Sequence, residues 1–149
     1  MKQMERTDRY DMERIGTICS DVQRYLRDLE DLNIRQIEDM KDKRNFYAVS
    51  MILFSLLNRV FDLGSEVALS QNLGIPSTYR EIFVLLQKNG CIEQPLAKDM
   101  IKLVTYRNLL SHEYHGITDE QLFHLTKKVP IIKKFVNQMR EKIGEHINL

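Results

Sequence analysis

The strongest constraint on the fold is a long run without a charged residue, Asn45 to Asn58, which reads NFYAVSMILFSLLN. Its middle part, Ala48 to Leu57, would be apolar on nearly every side of a helix, so that helix must be surrounded by other parts of the protein. The run is shorter than the roughly 20 apolar residues that span a bilayer. We therefore predict a buried central helix and no membrane partner.

The composition is typical of a folded, mostly helical protein. The chain has 149 residues, of which 43% are hydrophobic and 29% charged, with only six Gly and three Pro. A chain of this length can bury one hydrophobic core, so we expect a single domain over residues 1–149. The formal net charge of +1 offers no general attraction to nucleic acid or membrane. Any site for a polyanion must therefore be local.

The cysteines and the N-terminus indicate a cytoplasmic protein. Cys19 and Cys91 lie far apart, with neither the spacing of metal ligands nor the number expected of a disulfide framework. The first residues, MKQMERTDRYDMERI, alternate in charge and lack the apolar core of a secretory signal. We expect two reduced thiols and no export.

Helix-capping patterns, glycines and prolines divide the chain into helical segments. No alternating pattern of the kind that marks β-strands is found. We predict an all-α fold, an antiparallel up-and-down helical bundle of four to five helices. The segments run from about Asp8 to Leu32, from Ile34 to Gln71, from Thr78 to Gly90, from Pro95 through Leu110 towards Gly116, and from Thr118 to about Ile147, with a kink or break at Pro130.

The fourth segment carries a group of polar residues near its end. On an ideal helix, which turns by about 100° per residue, they occupy one arc of roughly 140°. Earlier in the same helix this arc is apolar, for example at Met100 and Val104. Burying such groups without partners costs about 1 to 3 kcal/mol each, so they must line a cleft or an interface. The five residues are Arg107, Asn108, Ser111, His112 and His115.

Several interpretations of this cluster remain open. Polar and basic side chains at the end of a helix often cap carbonyls, favour the negative end of the dipole or face water. His112 and His115 are three residues apart and could chelate a metal, but the Glu-x-x-His pairs of di-iron bundles do not occur. Ser111 would point about 100° away from His112, which gives a serine hydrolase little support.

A proton carrier next to a permanent cation suits one reaction in particular. Cleavage of RNA by its own 2′-hydroxyl requires proton transfer and stabilisation of the charge on a pentavalent phosphorane, without a metal. An imidazole, with an ordinary pKa of about 6.5, can act as a base or an acid near neutral pH. A guanidinium grips phosphate oxygens with a planar fork of donors. Arg107 with a neighbouring histidine, His112 or His115, therefore predicts a site that cuts RNA without a cofactor.

The segment Arg107-Asn108-Leu109-Leu110-Ser111-His112-Glu113-Tyr114 resembles the R-N-x-x-x-H-x-Y signature of HEPN domains, specifically the HepT-like toxins of toxin–antitoxin pairs. The preceding segment IPSTYREIFVLLQKNGCI, residues 75–92, and the long apolar second helix are also similar to that family. The resemblance covers most of the chain.

The resemblance implies a homodimeric all-α bundle in which the R-x-x-x-x-H elements of both subunits face one cleft. It implies a metal-independent endoribonuclease toxin of a type VII-like system, with Arg107 and His112 as catalytic residues and Asn108 as a supporting polar residue. From its place in the same polar arc, we add Ser111 as a second supporting residue. Its partner would be a nucleotidyltransferase antitoxin of the MNT type. Tyr114 matches the motif tyrosine, which such a partner can adenylylate to silence the toxin.

The spacing of the two catalytic candidates bears on the dimer. Arg107 and His112 would be roughly 140° apart on one ideal helix, which is wide for joint action on one phosphate. We therefore expect His112 to act opposite Arg107 of the second chain. A different class of function remains as the alternative: a non-catalytic module that binds nucleotides or serves as the accessory subunit of a nucleotidyltransferase.

Overall fold

The computed structural model describes residues 10–112 and 116–147, and these residues form helices joined by short turns, without a β-strand among them. The all-α prediction is confirmed. The elements in chain order are α1 (Met12–Asp31), a 3₁₀ helix (Ile37–Lys41), α2 (Lys43–Ser70), α3 (Tyr79–Lys88), α4 (Gln94–Leu110), α5 (Asp119–Thr126) and α6 (Val129–Ile147).

Helix α2 lies at the centre of the bundle, as its apolar sequence predicts. It contacts each of the other α-helices and the 3₁₀ helix. Its fully buried side chains include Leu53, Leu57 and Phe61. By length and composition α2 is also able to cross a membrane, with a mean hydropathy of 1.4 over its most apolar part. The core helix of a soluble protein passes the same test, and the contacts of α2 with the surrounding helices are those of a core helix.

Helix α1 packs along α2 with one apolar face and a set of ion pairs. The Asp11 side chain caps its start by accepting the Arg14 amide at 3.0 Å. Cys19 and Val22 lie on this apolar face, and Ile18 is fully buried there. Arg59 of α2 donates to Asp21 of α1 at 2.8 Å, which ties the two helices together. Neither Cys19 nor Cys91 forms a disulfide.

The predicted start of the second helix at Ile34 is wrong, because local polar groups interrupt the helix there. The Asp39 carboxylate accepts the backbone amides of Arg35 and Gln36 at 2.8 and 3.0 Å. These bonds hold the pKa of the Asp39 carboxyl below its usual value. Side chains that bond nearby amides in this way compete with the helical hydrogen-bond ladder. The long helix begins only after Asp42, whose side chain accepts the Arg44 amide at 2.9 Å.

The last predicted segment consists of two helices. Thr118 and Gln121 form a reciprocal capping box at the start of α5. The helix stops at Thr126, and α6 begins at Val129 with Pro130 in its first turn. Proline lacks an amide donor, and its ring would clash with the carbonyl four residues earlier, that of Thr126. The break predicted at Pro130 is therefore confirmed.

Candidate functional site

Arg107 lies in the last turn of α4 and is held by residues of two other helices. Its Nε donates to Oδ1 of Asn58 in α2 at 2.9 Å. Its guanidinium carbon lies 5.2 Å from the ring centre of Phe54, also in α2, and 4.8 Å from that of Tyr79 in α3. These are cation–π distances. The three contacts fix the guanidinium at the junction of three helices.

Tyr79 is placed by the capped start of α3. The Thr78 hydroxyl accepts the Glu81 amide at 3.1 Å, as the predicted capping pattern requires. The Glu81 carboxylate, however, accepts the backbone N–H of Ser77 at 2.6 Å and its hydroxyl at 3.0 Å. The bonds from the Ser77 backbone and hydroxyl hold the pKa of the Glu81 carboxyl below its usual value. This network positions the first residue of α3, whose ring lies against Arg107.

Asn108 and Ser111 bond within the end of α4. The Ser111 hydroxyl donates to the Asn108 carbonyl at 2.8 Å, and one terminal nitrogen of Arg107 lies 3.5 Å from Oδ1 of Asn108. The helix ends at Leu110, and Ser111 forms its C-cap. The predicted continuation towards Gly116 is therefore wrong, and the assumption that Ser111 and His112 follow Arg107 on one ideal helix does not hold.

His112 lies just after α4 and is exposed to solvent. Its backbone amide donates to the Leu109 carbonyl at 3.2 Å, which keeps it close to the helix end. Tyr114 and His115 lie outside the described residues. The structure thus places Arg107, Asn108, Ser111 and His112 together at the C-terminal end of α4.

Arg107 lies between two cavities, because it contacts one residue in the wall of each. The first has a volume of about 400 Å³ and a mixed lining that is more polar than that of the second and includes Asp62, Tyr79 and Asn108. The second has a volume of about 510 Å³ and a largely apolar lining, which includes Phe54 and His112. We call them the polar cavity and the apolar cavity. Arg107 contacts Tyr79 of the former and Phe54 of the latter.

The charge of Arg107 has no carboxylate partner within the described ranges. Asn58 engages only its Nε as a neutral acceptor, and the aromatic rings hold the flat faces of the guanidinium without hydrogen bonds. The terminal nitrogens can therefore donate to an anion. A phosphate is the anion whose oxygens match the guanidinium fork.

Sequence reasoning missed the three residues that hold Arg107. Asn58 and Phe54 belong to the apolar run of α2, and Tyr79 to the start of α3. Asn58 is the polar residue that closes the uncharged run, a signal that would have marked it as a partner for a buried polar group. Over residues 10–112 and 116–147, no group of three His, Cys, Asp or Glu is arranged to hold a metal ion.

Comparisons with known proteins bear on this site and on the fold. The family model described as "Ribonuclease HepT-like" matches residues 17–139. A relative from Shewanella oneidensis, called mRNA nuclease HepT, is 33% identical over 66 residues, which is 44% of this chain. The match spans half the length of that relative.

Two solved structures share the fold. A tri-AMPylated HEPN toxin of Shewanella oneidensis in complex with an MNT antitoxin has a TM-score of 0.77 and 22% identity, over 86% of this chain and 97% of that one. YutE, a cytosolic protein of unknown function from Bacillus subtilis, has a TM-score of 0.80 and 17% identity, over 94% of this chain and 95% of that one. At these identities the likeness concerns the fold alone. Because the family model covers residues 17–139, which is most of the sequence, the chain belongs to the HepT-like ribonuclease family.

Proposed function

We propose that this protein is the toxin of a type VII-like toxin–antitoxin pair and that it cuts RNA without a metal ion. The observation that carries the proposal is the fixed guanidinium of Arg107, without a carboxylate partner among the described residues, at the helix end that also carries exposed His112. Family membership and the mRNA nuclease relative support an RNA substrate. We place its action in the cytoplasm.

The proposed reaction is an attack by the ribose 2′-oxygen on the adjacent phosphorus. The bond from phosphorus to the 5′-oxygen breaks, so the products carry a 2′,3′-cyclic phosphate and a 5′-hydroxyl. One proton leaves the 2′-hydroxyl, and one reaches the 5′-oxygen. His112 serves as a proton carrier, and Arg107 donates to the phosphate oxygens while charge develops on them. Asn108 and Ser111 support the helix end that presents both groups.

We propose that the working site forms between two subunits of a homodimer. Arg107 contacts Phe54 in the wall of the apolar cavity but does not line the cavity itself. His112, which follows the end of α4, does line it. The two residues therefore do not share the lining of either the polar or the apolar cavity. His112 of one chain then acts opposite Arg107 of the partner subunit.

We propose an MNT-type nucleotidyltransferase as the antitoxin. It would transfer adenylate from ATP to the phenol oxygen of Tyr114, with loss of pyrophosphate. The added phosphate would carry negative charge two residues beyond His112 and compete with RNA for Arg107. The AMPylated state of the structural relative, itself bound to an MNT antitoxin, supports this regulation.

The test is RNA cleavage by purified protein in excess chelator. His112→Ala should reduce the rate by roughly 10²- to 10⁴-fold, as loss of a general acid or base does, while the variant remains helical and dimeric. His124→Ala is the matched control, because His124 is exposed in α5 and lines neither the polar nor the apolar cavity. Cleavage by His112→Ala at the rate of the wild type would remove His112 from the mechanism.

The antitoxin is tested by intact-mass measurement of protein made with and without the neighbouring nucleotidyltransferase. Adenylate should be added only in the co-expressed sample, and Tyr114→Phe should lose it. A non-catalytic accessory subunit of the nucleotidyltransferase is the alternative. Expression alone separates the two, because a toxin arrests growth until its antitoxin is supplied, whereas an accessory subunit is harmless.

A further inference from the structure

We propose that the apolar cavity binds one nucleobase of the RNA, next to the phosphate that Arg107 holds. This inference rests on the proposed ribonuclease function and adds a subsite to it. The cavity lies between the first half of α2 and the end of α4, and it has a volume of about 510 Å³. Binding sites for small molecules commonly have volumes of about 300 to 1,000 Å³.

The lining is aromatic in the way that suits stacking. Phe46 and Tyr47 meet edge to face with their ring centres 5.9 Å apart, and both line the cavity with Phe54. Tyr47 is 68% exposed and Met51, one helical turn further on, is 70% exposed. Proteins that read single-stranded RNA stack its bases on exposed aromatic rings of this kind.

The cavity is continuous with the proposed phosphate site through Phe54 and His112. The Phe54 ring lines the cavity on one side and carries the Arg107 guanidinium 5.2 Å from its centre. His112 stands in the cavity lining itself. A base between the rings would therefore leave its phosphate beside Arg107 of the same chain, where His112 of the second subunit would act on it. This connection favours a nucleotide over an unrelated apolar ligand.

One polar atom without a hydrogen-bond partner in the described part of the chain lies in the largely apolar wall. The Ser50 hydroxyl is buried and has no hydrogen-bond partner among the residues that the structure describes. Ser50 lines the cavity between the aromatic residues. A nucleobase presents both an apolar face and an edge of hydrogen-bonding groups, so it can cover the rings and bond Ser50. A purely aliphatic side chain of another protein would leave that hydroxyl unsatisfied.

The experiment measures binding of a short, fluorescent 2′-O-methyl RNA, which cannot be cut through a 2′-hydroxyl, in excess chelator. An abasic nucleotide replaces each position in turn. With the wild-type protein, removal of the base at one position should weaken binding by roughly tenfold, the usual effect of losing one stacked base. Tyr47→Ala should weaken binding of the intact strand by a similar factor, and it should not further weaken binding of the strand that lacks that base. Tyr47→Phe should bind like the wild type.

Met12→Ala is the matched control for Met51→Ala, because Met12 is an exposed methionine of α1 outside the apolar cavity. Only Met51→Ala should weaken the intact strand. A flat abasic scan, or equal weakening of all strands by Tyr47→Ala, would overturn the subsite. Loss of the dimer in Tyr47→Ala, measured by sedimentation, would assign the surface to the second copy of the chain and overturn it as well.

The two proposals fail in different ways. Base-dependent binding without cleavage of ordinary RNA would remove the nuclease and leave the nucleobase subsite. Cleavage with a flat abasic scan would leave the nuclease and remove the subsite.

Discussion

The chemistry proposed for this protein depends on one arginine that is already ordered before any RNA binds. A free arginine side chain loses roughly 2 kcal/mol of rotamer entropy when it is fixed. Here the bond to Asn58 and the two rings impose that order within the folded chain. The entropy is then lost on folding and not on binding, so more of the phosphate interaction contributes to affinity and rate.

Asn58 is therefore a positioning residue, and its removal should affect the cleavage rate only by displacing Arg107. We expect Asn58→Ala to lower the rate of RNA cleavage by roughly ten- to hundredfold, since small misplacements of a binding group have effects of that size. In an Arg107→Ala background, the same change should have almost no further effect. The measurement is a double-mutant cycle on the cleavage rate, with circular dichroism as the control for folding. Additive effects would show that Asn58 acts independently of Arg107.

At the same scale, the candidate catalytic residues are easier to recognise in the sequence than the residues that hold them in place. Arg107 and His112 form a local pattern within one segment, and such patterns are visible in one dimension. Asn58 lies 49 residues before Arg107, and the bond between them exists only because α2 and α4 pack together. A single sequence carries no record of which distant residues meet. Arg107 could thus be singled out from the sequence, but the residues that hold it could not.

Among the helices, the short α3 has the clearest link to the site, because its first residue is Tyr79. The Glu81 carboxylate, through its bonds from Ser77, fixes that start. Its folded-state pKa is lowered from 4.5, so its ionised form stabilises the fold above that pH. As the pH falls through the folded-state pKa, this contribution is lost.

We expect Glu81→Gln to lower the urea midpoint of unfolding at neutral pH and to flatten its decline between about pH 6 and about pH 3. The sign follows from the lowered pKa of Glu81. The control is Glu120→Gln, an exposed carboxylate in the first turn of α5, which should keep the pH dependence of the wild type. A pH profile of Glu81→Gln parallel to that of the wild type would contradict this account.

Helix α2 depends on a glycine where other helices approach it closely. A Cβ atom on Gly64 would lie 2.9 Å from Cγ2 of Ile82 and 3.2 Å from the Phe135 ring, both of which are buried. The absence of a side chain at Gly64 therefore lets α3 and α6 pack directly against the backbone of α2.

Gly64→Ala should destabilise the protein by about 1 to 3 kcal/mol, the usual cost of overpacking a core. Gly16→Ala is the matched control, because Gly16 lies within α1 and a Cβ there would have no neighbour within 4 Å. That change should stabilise the protein by about 0.5 to 1 kcal/mol, since alanine is the better helix former. Urea unfolding measures both. Equal effects at the two glycines would mean that helix propensity, and not packing, decides.

The helices themselves were largely predictable, and the errors share a cause. Apolar periodicity and capping residues identify α1, α3, α4 and the break before α6. The predicted start of α2 and the predicted end of α4 are wrong, because Asp39 and Ser111 form hydrogen bonds to nearby backbone groups. These bonds close turns that the apolar pattern does not reveal. Element boundaries depend on such single bonds, whereas the identity of a helix depends on many residues.

Considered as a whole, three helices of one chain supply the parts of the proposed nuclease site. The central helix α2 carries Asn58 and Phe54, α3 adds Tyr79, and α4 ends in the motif. Arg107 is fixed by these contacts, whereas His112 is exposed just after the end of α4. A second copy related by twofold symmetry would present the same surface, as isologous dimers do. Two incomplete sites could then complete each other.

Complementation between two inactive variants tests this arrangement. Arg107→Ala and His112→Ala should each retain about one hundredth of the wild-type activity or less as homodimers. In a mixed dimer, the intact His112 of the first variant would face the intact Arg107 of the second, so one of the two sites is complete. With random assortment half of the dimers are mixed, and co-expression should restore about a quarter of the wild-type activity.

If Arg107 and His112 instead act within one chain, every site in the mixed dimer contains one defect and no activity returns. Differently tagged copies allow the mixed dimer to be isolated, so a negative result cannot arise from failure to assemble. A mixed dimer of Arg107→Ala with the double variant Arg107→Ala/His112→Ala is the matched control, because it lacks the arginine in both sites and should be inactive under either arrangement. Restored activity in the first pair alone would assign each cleavage site to two subunits.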